Sequence, residues 1–315
     1  MTVTSGRPGA PTPPAVAAPG ARRRWMPRDG RARVGLAVIA GFVLVAVVGP
    51  FLVTGASGIG PDPLAPPSAQ HWLGTTQTGQ DVLAQLVVAT RGSLLVGALA
   101  GLLATVLSIV VGVVGGYVGG RVDEALSLLS NVTLVIPSLP LVILVTHYLD
   151  GGGILAISVV IGLTSWAASA RVLRAQTRSV RARDHVAASR ALGERPWRMV
   201  LVEVVPNLLP VIAAQFVFAV IFAILTEAGL SFLGLGGVDH LTWGTMLYFA
   251  QNAQALAIGA WWWFIPPGLA IALLGCALSL LNLSLDEVIN PRLRGSRSRR
   301  DRRAARRPAQ PREER

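Results

Sequence analysis

Six stretches of this sequence are each roughly twenty residues of almost unbroken apolar character, and they leave the chain little choice of solvent other than lipid. They are Val34–Val53, Gly92–Tyr117, Ala125–Leu149, Gly151–Ala170, Val204–Thr226 and Ile265–Leu285. A bilayer core about 30 Å thick is crossed by about 20 residues rising 1.5 Å each. Only a helix or a closed barrel satisfies its own backbone there. With 52% hydrophobic and 14% charged residues over 315 positions, the composition is too apolar for an ordinary soluble domain. The expectation is an all-α integral membrane protein with six transmembrane helices.

Leu241–Phe264 is also uncharged and competes as a seventh span. Gln251, Asn252 and Gln254 lie near its middle and Trp261, Trp262 and Trp263 close it, the pattern of an interfacial segment with an aromatic anchor. Charge decides the number. Six spans with an inside N-terminus place segments 1–33, 118–124, 171–203 and 286–315 in the cytoplasm, and these hold all but one of the 28 basic residues. The exception is Arg91, and every one of the 28 is Arg. That distribution obeys the positive-inside rule, whereas a seventh span would put the Arg-rich C-terminal tail outside. Both termini are thus expected to be cytoplasmic. The net charge of +12 then reads as a topology signal and an attraction to anionic membrane lipid, with no nucleic acid as partner. Residues 1–33, rich in Pro, Ala and Gly and ending in Arg, read as a disordered basic tail and not as a cleavable leader.

The absence of Lys also bears on chemistry. A P-loop needs the Lys of GxxxxGK[ST] to reach the nucleotide phosphates, so this chain carries no such site and is not expected to be an enzyme. Cys276 is single, which excludes an intrachain disulfide, and His71, His147, His185 and His240 are scattered without metal-binding spacing. No catalytic, metal or cofactor site is expected. A secondary transporter would carry ionisable residues in several spans, and these spans hold hardly any. A membrane enzyme would need paired acids or a nucleophile with its base, and none is seen.

Within the spans, Gly97/Gly101 and Gly112/Gly116/Gly120 recur every four residues, which lets helix backbones approach closely in lipid. Pro137 and Pro140 fall in the third span and predict a kink or break, either lining a pathway or serving packing alone. Glu227 ends the fifth span near the outer interface, where a gate role and a helix-end role both fit. His71–Asp81 and Gly234–Phe264 are the candidate outer surface.

The most informative stretch is the long loop between spans four and five, about residues 171–206. Asp184 to Leu192 is Ala-rich and helical in character, with Asp184 as a candidate N-cap. Gly193 is a candidate helix end, and after Arg195-Pro196 a second helical piece runs from Trp197 to Val205 before Pro206 closes it. Two short helices joined by a tight turn make a knob that fits a groove on another protein.

This loop resembles the EAA loop of binding-protein-dependent ABC permeases, whose pattern is EAA, three residues, Gly, nine residues, then I-x-L-P. Here the pattern becomes Ala187-Ala188-Ser189, Gly193, and Glu203-Val204-Val205-Pro206. Gly193 and Pro206 match in type and spacing. Ala187 replaces the Glu, Ser189 the second Ala, and Glu203 an aliphatic residue. HWLGTTQTGQDVLAQLVVATRGSLLVG from His71, IPSLPLVIL from Ile136, EAGLSFLGLG from Glu227, TWGTML from Thr242 and NPRLR from Asn290 are similar to the dipeptide/oligopeptide/nickel class, and to the second permease of its usual pair. The resemblance implies a permease core over 92–290, preceded by a first helix and outer segment over 34–91 and followed by a basic tail over 291–315. It implies a second related permease, two ATP-binding subunits and an extracellular solute-binding protein as partners, in the inner membrane. It also implies that Asp184, Ala187, Ala188, Ser189, Gly193, Arg195, Pro196, Trp197, Arg198 and Pro206 form the docking surface for the ATPase. The expected cargo is a di- or oligopeptide, with a nickel chelate or another small solute as the alternative.

Overall fold

The computed structural model describes residues 30–148, 153–236 and 240–289. Residues 1–29 of the first basic tail, the whole tail 291–315 and the run Asn290–Arg294 lie outside the described residues. The described part is built of helices: α1 (Gly30–Leu52), α2 (Val82–Val118), α3 (Gly120–Val135), α4 (Ser138–Tyr148), α5 (Gly153–Arg181), α6 (Asp184–Ala191), α7 (Pro196–Phe232), α8 (Trp243–Asn252) and α9 (Trp261–Ile289). Five of them are long and apolar enough to cross a membrane alone, and α3 with α4, bent by 82° where they meet, make a sixth when the pair is counted as one span.

The bend lies where Pro137 removes a backbone donor. Ile136 is extended at φ −70°, ψ 123°, and Pro140 sits in the first turn of α4. Both prolines face away from their own bundle. The uncharged stretch after α7 contains only the ten-residue α8, too short to span. Trp261, Trp262 and Trp263 form the first turn of α9, which begins four residues before the apolar stretch from Ile265.

Several helices outrun their apolar stretch. α2 begins at Val82, ten residues before Gly92, because Asp81 caps it by accepting from the Ala84 N–H at 2.9 Å, while Arg91 is carried on an exposed face. α5 continues to Arg181, so Arg171–Arg181 are the solvated end of a span and not loop. Its basic last turn suits the negative end of the helix dipole.

α2 is the central element, packed against α5, α7 and α1. The glycine spacing explains the closeness. A Cβ at Gly112 would stand 2.4 Å from the Ala170 carbonyl oxygen, and one at Gly116 2.7 Å from that of Arg174, so α2 and α5 touch backbone to backbone. Gly97 and Gly101 make room for the side chains of Ile224 and Val220 of α7, at 2.6 and 2.7 Å from their Cβ positions. Gly120 leaves the seam: nothing lies within 4 Å of its Cβ position, and with Gly119 it makes the turn out of α2 at φ +75° and +56°. Ser108 Oγ adds a cross-helix hydrogen bond to the Trp166 carbonyl at 2.8 Å.

The core divides toward the two ends of the bundle. Trp243, Met246, Trp263, Val82, Ile224 and Leu274 pack at one end, where α8 closes over α2, α7 and α9. Tyr117, Leu173, Val180, Val186, Met199 and Val204 pack at the other, under α6.

Candidate functional site

At the Arg-rich end, α6 stands apart from the spanning helices as an elbow between α5 and α7. Arg183 is its N-cap position and makes no side-chain cap, so Asp184 is the first helical residue and not the cap the sequence suggests. Its carboxylate still suits the positive end of the helix. The helix ends in a Schellman turn: the Gly193 N–H donates to the Arg190 carbonyl at 3.0 Å and the Glu194 N–H to the Ser189 carbonyl at 3.4 Å. Gly193 has φ +79°, where an L side chain is strained although open space surrounds the position.

Arg195 then takes the N-cap position of the next helix with Pro196 first inside it. That helix is not a short separate piece. It continues through a π-helical turn, Met199–Val204, into the long Val205–Phe232 segment, so Pro206 lies in an unbroken helix and does not close one. The π turn relieves the clash that a proline ring makes with the carbonyl four residues earlier, here that of Val202. The elbow is therefore one short helix, a glycine turn and the projecting foot of the fifth span.

Three side chains spaced along one face of α6 fasten it. Val186 is fully buried against the Tyr117, Met199 and Val204 cluster. Ser189 Oγ donates to Glu203 Oε1 at 2.6 Å. The Arg190 guanidinium lies 5.5 Å from the centroid of the Tyr117 ring, and Arg181 of α5 lies 5.9 Å from it. The Tyr117 hydroxyl reaches Met199 Sδ at 3.1 Å. Tyr117, at the end of α2, thus joins three elements that the sequence alone keeps apart.

The opposite face is bare. Ala187, Ala188, Ala191, Arg195, Pro196 and Arg198 are exposed, and Leu192 and Trp197 keep 86% and 60% of their surface in the open. Two large apolar side chains beside small alanines form an exposed apolar patch outside the apolar spans. Arg198 is paired with Glu194 at 3.1 Å across the turn.

Beside the elbow, Asp123 of α3 is nearly buried and accepts from Arg174 Nε and Arg178 Nη2 of α5. Arg174 also donates to Ser127 Oγ at 2.8 Å, and Arg171 to Asn131 Oδ1 at 2.9 Å. This ladder ties the first half of the broken span to α5.

At the far end, Glu227 is 1% exposed, inside the chain and not at a wet interface. Its Oε1 accepts from Ser231 Oγ at 2.8 Å and from Thr242 Oγ1 at 2.7 Å. Thr242 caps α8 in a reciprocal box with Thr245, and the Trp243 N–H donates to Ser93 Oγ of α2 at 3.0 Å. Gly92 and Gly244 permit the approach, since a Cβ would fall 2.4 Å from the Leu241 carbonyl and 2.8 Å from Ala228 Cα. Glu227 thereby pins α8 to the ends of α7 and α2. A cleft of about 860 Å³ opens beside this junction, lined by Gln77, Gln80, Gln85, Asn252, Phe249 and Trp263 among others.

Residues 104–295 match the family described as "Binding-protein-dependent transport system inner membrane component". The chain belongs to this family. It is a transport permease subunit of the inner membrane, and ATP hydrolysis in such systems is performed by a separate subunit. The permease is 32% identical over 275 residues to a dipeptide transport system permease protein of Bacillus subtilis, covering 86% of this chain and 85% of the relative. It is 32% identical to an oligopeptide transport system permease protein of the same organism, over 84% of this chain and 86% of the relative. To an oligopeptide transport system permease protein of Mycobacterium bovis it is 32% identical, covering 74% and 80%.

The structure brings most of the expected elbow residues together in this permease but divides their tasks. Ser189 and Gly193 build the elbow, whereas Ala187, Ala188, Trp197 and Arg198 are presented outward. Pro206 lies within α7, away from the turn. Sequence reading missed Val186, Arg190, Tyr117 and Leu192. An aromatic residue just before the Gly119-Gly120 break, at an Arg-rich membrane end, is the only local signal for Tyr117.

Proposed function

We propose that this permease is the peptide-translocating subunit of an ATP-driven importer. It pairs with a second related permease, receives di- or oligopeptides from a solute-binding protein on its outer side, and is driven by two ATPase subunits docked on the cytoplasmic side. The relatives named for dipeptide and oligopeptide transport support the cargo. The Arg distribution supports an inside placement of both termini and of the elbow.

The observation that carries the reading is the elbow: a fastened helix that presents Ala187, Ala188, Leu192 and Trp197 outward from the Arg-rich end. Closure of an ATPase dimer gripping two such elbows rocks the spans as rigid bodies and alternates access to a cavity between the permeases. The 82° break at Pro137 and Pro140, facing away from its own bundle, supports a place on the wall of that cavity. Glu227, enclosed at the α7–α8 junction, serves the outer framework of the pathway.

The test is reconstitution of both permeases, the ATPase subunits and the binding protein into vesicles with labelled peptide. Uptake is expected only with ATP and the binding protein together. Full-rate uptake by the permeases alone contradicts the proposal. Topology is checked by Ser298→Cys in a Cys276→Ala background, which should be labelled from the cytoplasmic side alone.

A further inference from the structure

Two of the positions at which the elbow leaves the family pattern are each other's partners. Ser189 stands where the pattern has Ala and Glu203 where it has an aliphatic residue, and Ser189 Oγ donates to Glu203 Oε1 at 2.6 Å. The residues are fourteen apart, one on α6 and one in the π turn at the foot of the fifth span. Glu203 Oε2 is shielded from solvent and has no donor. A carboxylate withdrawn from water in this way depends on the hydrogen bond it does make.

We propose that Ser189 and Glu203 form a latch that fixes the rotation of α6 on the foot of α7, so that motion of the elbow reaches the fifth span. Val186, Ser189 and Arg190 stand at i, i+3 and i+4 and so share one face of the helix. Val186 anchors that face by burial and Arg190 holds it loosely over the Tyr117 ring, 5.5 Å from its centroid. Among the described residues, the Ser189–Glu203 bond is the side-chain hydrogen bond that links α6 to the π turn. It therefore makes α6, with Ala187, Ala188 and Ala191 on its outward face, turn together with the foot of the fifth span. The π turn is the segment such a link would drive, because its wide backbone already departs from the regular ladder directly before Pro206. Ser189 and Glu203 act here as positioning residues that work through α6. The proposal rests on the elbow being the ATPase-docking element.

The test uses the complete reconstituted importer and measures peptide uptake, ATP hydrolysed per peptide delivered, and ATPase co-purification. S189A strips Glu203 of its donor. Uptake should fall about tenfold or more, the population shift expected for losing one charge-assisted hydrogen bond. ATPase should still co-purify and ATP per peptide should rise, which simple loss of folded protein does not produce. E203Q keeps an acceptor and should stay within about twofold of the parent. S189A/E203V restores the apolar pair of the family pattern and should recover to within about threefold, on the same scale of hydrogen-bond loss. S189A that matches the parent in uptake and in ATP per peptide overturns the latch. So does a double variant no better than S189A, or failure of both to accumulate. If the unmodified chain retains no ATPase, the docking reading itself falls and the latch with it.

Discussion

Replacing Gly193 separates the shape of the elbow from its contacts. The residue sits at φ +79° with nothing within 4 Å of its Cβ position, so Gly193→Ala meets no neighbour and its whole cost is backbone strain. An L residue held in the left-handed region costs about 1–2 kcal/mol, and Asn tolerates that region better than Ala. A shift of that size changes the ratio of correctly turned to misturned elbow by roughly 5- to 30-fold. The position is exposed and belongs to no core cluster, so insertion should be unchanged and the stability of the purified permease should fall by no more than about 2 kcal/mol. The assay is ATPase retained on the affinity-purified permease pair, at subsaturating ATPase, beside peptide uptake in the same vesicles. Both should fall in the order Gly, Asn, Ala, with Val worst because its branched side chain is stiffest. If retention follows side-chain size, with Asn worse than Ala, contact and not backbone shape governs the turn. If Gly193→Ala is silent, the Schellman turn does not govern docking.

Tyr117→Phe removes only the contact with Met199 Sδ and should lower stability by no more than about 1 kcal/mol. Tyr117→Ala also empties the space among Leu173, Val186 and Met199 and should cost about 3–5 kcal/mol, read as thermal unfolding of the purified chain. Gly112→Val forces α2 off the Ala170 carbonyl, 2.4 Å from the new Cβ, and should abolish the folded peak on size-exclusion chromatography, whereas Gly229→Ala, facing open space, should keep it. Glu227→Gln retains an acceptor for Ser231 and Thr242 and should be nearly neutral. Glu227→Leu orphans both hydroxyls, costs about 1–3 kcal/mol, and should show first as faster hydrogen exchange in α8.

Much of this was legible because lipid imposes period and length. The spans, the break at Pro137, the Gly seam through Gly112 and Gly116 and the turn at Gly193 each follow from local chemistry that no distant residue overrides. Boundaries were less legible, because a capped or charged helix continues past its apolar stretch: Asp81 opens α2 ten residues before Gly92, and α5 carries Arg171–Arg181 beyond its apolar run. Pro206 misled for a related reason, since a π turn ahead of a proline leaves the helix intact. What escaped altogether was pairing across distance. Glu227 with Thr242, Tyr117 with Arg190, and Ser189 with Glu203 are each ordinary residues until the fold brings them together.

The central claim is mechanical: the outward face of α6 grips a separate ATPase. With Cys276→Ala as background, Ala188→Cys in the assembled importer, treated with a thiol-to-amine cross-linker that carries a cleavable disulfide, should become joined to the ATPase subunit and stop peptide uptake until the link is reduced. Ser57→Cys, in the coil that follows α1, should form no such link. An Ala188→Cys importer that never joins the ATPase, yet takes up peptide at the parent rate with ATP, would contradict the account.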